Sequence, residues 1–200
     1  NWGYIRRKGR EHERKRKGGL GLYYHIDMNG GPWNDRWVNT TTVPKIREQL
    51  NLAYRSGIDR IWIINVGDLK PKEMPIDFIM RYAWNPDTYG PGDEKAYLER
   101  FAESVFDREN APEIADLISS YSKYNLWRKP EVQHLGLFNI PEMLMLNNMW
   151  ENLELRAEKL KGKLPSCMQD AFFQLVYYPV VGSATVAKIY NSSTIGDMEN

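Results

Sequence analysis

The chain has 200 residues, of which 42% are hydrophobic, 12% aromatic and 26% charged, a balance that excludes disorder as its whole character. No run approaches the ~18 consecutive apolar residues of a membrane span, and the charged first 17 residues lack the apolar core of a signal peptide, although an upstream signal stays open. The single cysteine, Cys167, excludes an internal disulfide framework and any multi-cysteine metal site, and is expected to be a small apolar filler.

The formal charge of +1 conceals a local excess. Residues 6–17 hold eight Lys/Arg against two Glu, leaving the other 188 residues at −5. No aromatic interleaves Arg6 to Lys17 and two acids oppose phosphate, so this run reads as the solvated face of a short helix within residues 10–17 rather than a nucleic-acid arm. Leu20 to Ile26 (LGLYYHI) and Arg60 to Val66 (RIWIINV) are short apolar runs rich in aromatic and β-branched residues, expected as strands buried on both faces. Between them Val43, Ile46, Leu50, Ala53 and Tyr54 share one helical face, with Thr42 as N-cap, Pro44 in the first turn and Gly57 as the stop. Strand, helix, strand at this spacing is a βαβ unit, which demands a parallel pair and a right-handed crossover. A further helix is expected over residues 73–82.

Beyond about residue 87 the pattern turns wholly helical, after the turn-rich linker NPDTYGPGDE. Leu98, Phe101, Ala102 and Val105, then Ile114, Leu117, Ile118 and Tyr121, form apolar stripes. Leu146, Met149, Trp150, Leu153, Ala157 and Leu160 make a longer one, and another helix is expected from Pro165 until Pro179 kinks or stops it. The fold class is therefore α/β followed by all-α, with residues 1–86 as β/α units and 87–200 as a helical domain. Two or three β/α units cannot close a sheet, whereas a closed barrel takes about 250 residues. The chain reads as a piece that begins inside a (β/α)8 TIM barrel.

In such folds ligands lie at the carboxyl ends of the strands. Three places qualify: His25 and Asp27 before the glycine turn at Gly30, Asn65 and Asp68 around Gly67, and Asn1 one β/α unit earlier. His25 is either a satisfied core histidine or a ligand contact. Asp27 and Asp68 could form an acid/base pair, or could equally cap a loop or pair with Arg36 or Arg60. Asn65 ends an apolar strand and so needs a hydrogen-bonding reason, either a ligand hydroxyl or neighbouring backbone. Glu73 suits the start of a helix. Trp33, Trp37 and Trp84 fall in or beside the expected rim, where flat rings suit sugar faces, while Trp62 and Trp150 read as core. His12, His25 and His134 are widely spaced and no HExxH or CxxC occurs, so no metal is expected. GxSxG, GxGxxG and GxxxxGK[ST] are likewise missing.

At these residues the sequence resembles a known family. YYHIDMNGGP, RWVNTT and above all RIWIINVGDLKPKEMP are similar to glycoside hydrolase family 115, the xylan α-1,2-glucuronidases, with NWGYIRR and ERKRKGG before them and a looser continuation to AFFQLVYYPV. The resemblance implies inverting release of glucuronic acid, or its 4-O-methyl ether, from glucuronoxylan or xylo-oligosaccharides, without metal or cofactor. It implies a large, exported enzyme, secreted or periplasmic, with a (β/α)8 barrel followed by a helical domain and room for a homodimer. Asn1, His25 and Asn65 match positions that would hold the uronic acid or a water. Asp27 and Asp68 match motif letters, as catalytic candidates or as orienting groups, with the main acid/base pair upstream of Asn1. Met28-Asn29 departs from the family's Tyr-Val. Arg7 and Lys70 are sources of positive charge for the substrate's carboxylate. The rival reading is a non-catalytic carbohydrate-binding or structural module. Nucleic-acid binding ranks third, and no membrane partner is expected. The triplets at Asn39 and Asn191 fit glycosylation but are common by chance.

Overall fold

The computed structural model describes residues 3–28, 30 and 36–199, with side chains as far as residue 196. Two compact units emerge, residues 1–94 and 95–200. In the first, helix α1 (Glu11–Arg14) precedes strand β1 (Leu22–His25), helix α2 (Val43–Arg55), strand β2 (Trp62–Asn65) and helix α3 (Glu73–Trp84). Both strands lie inside the apolar runs that predict them, and they pair in parallel, Leu22 opposite Trp62 and His25 opposite Asn65.

The chain enters α1 through a local electrostatic lock. Glu13 accepts the Arg10 N–H at 2.7 Å and the Arg7 guanidinium at 2.9 Å. The Arg10 N–H above all holds the Glu13 carboxyl below the usual carboxylate range. Helix α2 begins after Thr42, whose side chain makes no capping bond, and carries Pro44 in its first turn. It ends because Gly57 takes φ +77° and turns its N–H back to Tyr54 O at 3.0 Å, a conformation open to glycine at little cost. Ile46, Leu50 and Ala53 of α2 and Phe78 and Ile79 of α3 are buried.

Burial of the strands differs from expectation. Tyr24 is 2% exposed, but its neighbour Tyr23 is 63% exposed and Ile63 53%. Successive strand side chains alternate between faces, so only one face of the pair is covered. A βαβ crossover lays its helices on one side of the sheet, and no described element lies over the other.

The second unit is helical: α4 (Glu94–Val105), α5 (Ala111–Trp127), a 3-10 turn (Pro130–Val132), α6 (Ile140–Lys161) and α7 (Ser166–Phe172). A π-helical turn (Phe173–Tyr177) then leads into α8 (Tyr178–Glu199). The stripe residues Leu98, Phe101, Ile114, Leu117, Ile118, Leu146, Trp150, Leu153 and Leu160 are all buried. Asn139 starts α6 through a reciprocal capping box, its Oδ1 accepting the Glu142 N–H at 2.9 Å while Glu142 accepts the Asn139 N–H at 3.0 Å. Arg156 ties α6 to α5, donating to Glu113 at 2.9 Å and to Asp116 at 2.6 Å.

Pro179 does not stop the chain. It falls within a continuous helical run directly after the π-helical turn, the kind of local rearrangement that accommodates a proline inside a helix. Cys167 also departs from expectation: it is exposed, because it lies in the first turn of α7, whose buried residue is Phe172. No described helix is long and apolar enough to cross a membrane.

Candidate functional site

The parallel register brings His25 and Asn65 side by side at the carboxyl ends of β1 and β2. Register partners in a parallel pair point to the same face, and this is the face left open, shared with Tyr23 and Ile63. The Tyr23 ring meets the His25 ring edge-on with centroids 4.7 Å apart. The edge residues thus form a polar end layer, His25 and Asn65, above an apolar layer, Tyr23 and Ile63.

Hydrogen bonding fixes the orientation of this pair. The Gly67 N–H donates to Asn65 Oδ1 at 3.1 Å, which leaves Asn65 Nδ2 facing His25 Nδ1 at 3.2 Å. An amide NH2 is only a donor, so where Nδ1 of a neutral His25 accepts this bond its proton resides on Nε2. The Asp27 carbonyl also lies 3.2 Å from Nδ1 and would compete for a proton placed there. This assignment follows from the network of partners. It makes Nε2–H a donor available to a ligand oxygen, and it answers why asparagine ends so apolar a strand.

Asp27 is buried and bonded to Lys72, Nζ to Oδ2 at 2.7 Å, with side-chain exposures of 12% and 6%. Its partner is therefore Lys72 rather than Arg36 or Arg60; Arg60 is 3.7 Å from Asp59. Through this pair Asp27 joins the turn after β1 to the turn after β2. Gly67 makes that approach possible: it has φ +66°, and a Cβ there would stand 2.5 Å from Asp27 Oδ2. Asp68 is exposed and makes no ion pair among the described residues, so the two carboxylates stand in different surroundings.

The remaining candidates sort by position. Lys70 is exposed and bonds Glu73 at 2.9 Å, and Glu73 begins α3 as its charge suits. Arg7 is engaged by Glu13 but lines, with Arg6, Tyr4 and His25, a groove of about 310 Å³ along the outer edge of β1. Asn1 and Trp33 lie outside the described residues. Trp37 is half-buried in the loop before α2. Trp84 is on the wrong end for the rim: it is the last residue of α3, and a helix that returns from the strand ends finishes at their beginnings. Trp62 is only half-buried, its indole N–H donating to Ile58 O at 2.7 Å, whereas Trp150 is core.

In the RWVNTT segment Asn39 takes φ +51°, and Asn39 Oδ1 and Thr41 Oγ1 are buried with no hydrogen-bond partner among the described residues. Buried oxygens are rarely left so, and these stand in the loop that leaves the rim end of β1. Asn39 and Asn191 are both buried, and Asn191 donates to Asn147 at 2.9 Å, so neither triplet offers a glycan acceptor in the folded chain. Lys72 and Tyr23 escape a reading of the sequence as site residues. Gly67, two residues past the end of β2, carries a local turn signal. Among the described residues no group of three or more His, Cys, Asp or Glu could hold a metal ion.

The sequence profile of Glycosyl hydrolase family 115 matches residues 1–132, and the chain belongs to that family. A solved structure of a family GH115 4-O-methyl-α-glucuronidase with specificity for decorated arabinogalactans superposes with a TM-score of 0.90 at 31% identity. The match covers 98% of this chain and 28% of that one. Among curated proteins nothing matches.

Proposed function

We propose that the chain contributes to an inverting α-glucuronidase, releasing glucuronic acid or its 4-O-methyl ether from an acidic plant polysaccharide, with glucuronoxylan as the substrate the sequence motifs favour. The observation that carries this reading is the in-register pair His25 and Asn65, oriented by Gly67, at the carboxyl ends of parallel strands in a family 115 chain. A neutral His25 offers Nε2–H to a sugar hydroxyl or to the uronate. Asn65, held by its own bonds, keeps the ring in that tautomer and acts as a positioning residue.

The two strands and their helices are read as β/α units of a (β/α)8 barrel. The open apolar face with Tyr23 and Ile63 supports this, because inward-pointing layers of a barrel are covered by the other strands. Inversion requires a carboxylic acid and a carboxylate about 6.5–9.5 Å apart on opposite sides of the sugar. With Asp27 bound to Lys72 and Asp68 on the surface, this pair belongs to other strands of the same polypeptide. Export and a homodimer belong to the same reading. The rival is a non-catalytic glycan-binding module, which predicts binding without release.

A second substrate reading, release of the same sugar from decorated arabinogalactan, is favoured by the specificity of the structural neighbour. Proton NMR of the full-length polypeptide acting on each polymer decides among these. Early appearance of the β-anomer from either one supports an inverting glucuronidase and names its substrate, and no release from either refutes the enzyme.

A further inference from the structure

At the opposite end of the first unit lies a cleft of about 410 Å³. Its walls come from Tyr54 near the end of α2, Arg60 and Trp62 at the start of β2, and Met80 and Trp84 at the end of α3. The twelve residues of α3 separate Trp84 from the rim by about 18 Å at helical rise. Trp84 is 91% exposed and Met80 65%, an apolar display that water disfavours and that flat sugar faces fit. Trp62 is held in place by its bond to Ile58 O, so at least one ring of the wall is fixed.

Asp59 and Arg60 both line the cleft, and the charge flanking them on the side of residues 6–17 is mostly basic. The Arg60 side chain lies against Gly19, whose Cβ would stand 2.5 Å from Arg60 Cγ. Gly19 in turn donates its N–H to Arg16 O at 2.9 Å, and Arg14 of α1 reaches within 3.7 Å of the Cβ position of Gly57. The basic segment of residues 6–17 therefore comes to the same end as the cleft. Within it Arg7 and Lys15 are paired with Glu13 and Glu11, while Arg10, Arg14, Arg16 and Lys17 make no ion pair among the described residues. Asp59, itself in the wall, stands 3.7 Å from the Arg60 Nε and Asp87 bonds Arg55 at 2.6 Å, so each of these acids already faces an arginine.

We propose that the Trp84–Trp62–Arg60 cleft is a second glycan-binding site, remote from the rim, that holds uronate-bearing polysaccharide through ring stacking and through the flanking basic segment. It rests on the acidic-glycan reading above, since uronate carboxylates are what the cations would recognise. Binding here tethers the polymer and leaves chemistry at the rim unchanged.

The test uses the full-length polypeptide and its Trp84→Ala and Arg60→Gln variants. Binding to soluble 4-O-methylglucuronoxylan, and to the same polymer with its carboxyls reduced, is measured by affinity electrophoresis in the cold. The expected result is a weakening of about fivefold or more for Trp84→Ala, the scale of one lost aromatic contact. Arg60→Gln and carboxyl reduction should each weaken binding, and the difference should shrink at high salt. Unchanged binding by both variants overturns the proposal, as does a fall in Tm for Trp84→Ala without loss of binding, which would mean that another segment of the polypeptide covers the cleft. Sugar release is scored separately: no release with Trp84-dependent binding defeats the glucuronidase reading alone, and release with Trp84-independent binding defeats this proposal alone.

Discussion

Lys72 and Asp27, forty-five residues apart, meet at 2.7 Å in a buried ion pair that joins the turns leaving β1 and β2. The pair holds together the two loops that frame His25 and Asn65. Removing one partner leaves an uncompensated buried charge, which costs about 3–5 kcal/mol. Lys72→Met and Asp27→Leu should each destabilise the chain on that scale in urea denaturation. The double variant should be less damaged than the sum of the two, because it leaves no orphaned charge.

Gly67 is constrained twice, by φ +66° and by Asp27 Oδ2 lying 2.5 Å from the position of a Cβ. The left-handed conformation alone costs a non-glycine residue about 1–2 kcal/mol, and displacing the ion pair adds to that. Gly67→Ala should therefore lower stability by about 2 kcal/mol or more. A nearly neutral effect in denaturant titration would show that the turn relaxes freely.

The tautomer of His25 is open to direct observation. Long-range nitrogen–proton NMR correlations should place the proton of the neutral ring on Nε2, as the Asn65 amide requires. Asn65→Leu removes the Nδ2 donor and should allow Nδ1 to donate to Asp27 O instead. A proton on Nδ1 in the unaltered chain would contradict the assigned network.

Asp107 gives a pH-dependent handle on the helical unit. The Asn110 N–H donates to Asp107 Oδ1 at 2.7 Å, and chiefly for that reason its carboxyl titrates below the ordinary aspartate value. A folded-state pKa below the unfolded one contributes stability that is present above the unfolded pKa and is lost as pH falls through the folded one. Tm should exceed that of Asp107→Ala by a small margin near neutrality. The margin should close as pH falls below about 4, the ordinary aspartate range. A margin independent of pH would assign the effect to packing.

Much of the fold is legible because its signals are local. The runs LGLYYHI and RIWIINV carry the strands, Gly57 carries the stop of α2, and the stripe through Leu146, Trp150 and Leu153 carries α6. What escapes depends on partners distant in sequence. Lys72, in LKPKEMP, has the flanks of a solvent-facing lysine, and only its meeting with Asp27 buries it. Tyr23 and Tyr24 are identical neighbours in a strand, yet one is covered and the other exposed, because helices lie on one face alone. Trp84 belongs to a loop-flanking sequence near the expected rim, but the reversal of direction along α3 carries it to the other end. Cys167 and Pro179 take their roles from helix register: one is turned outward in α7, and the other is accommodated after the π-helical turn.

The most direct test of the account compares the full-length polypeptide with its His25→Ala variant in the release of 4-O-methylglucuronic acid from glucuronoxylan and from decorated arabinogalactan. The account predicts release by the unaltered enzyme, and a fall in kcat/KM of about 100-fold or more in the variant, worth about 2.7 kcal/mol of transition-state stabilisation, with Tm nearly unchanged. Equal turnover by the two proteins would contradict the place given to His25 in the site, and absence of release by a folded full-length protein would contradict the activity itself.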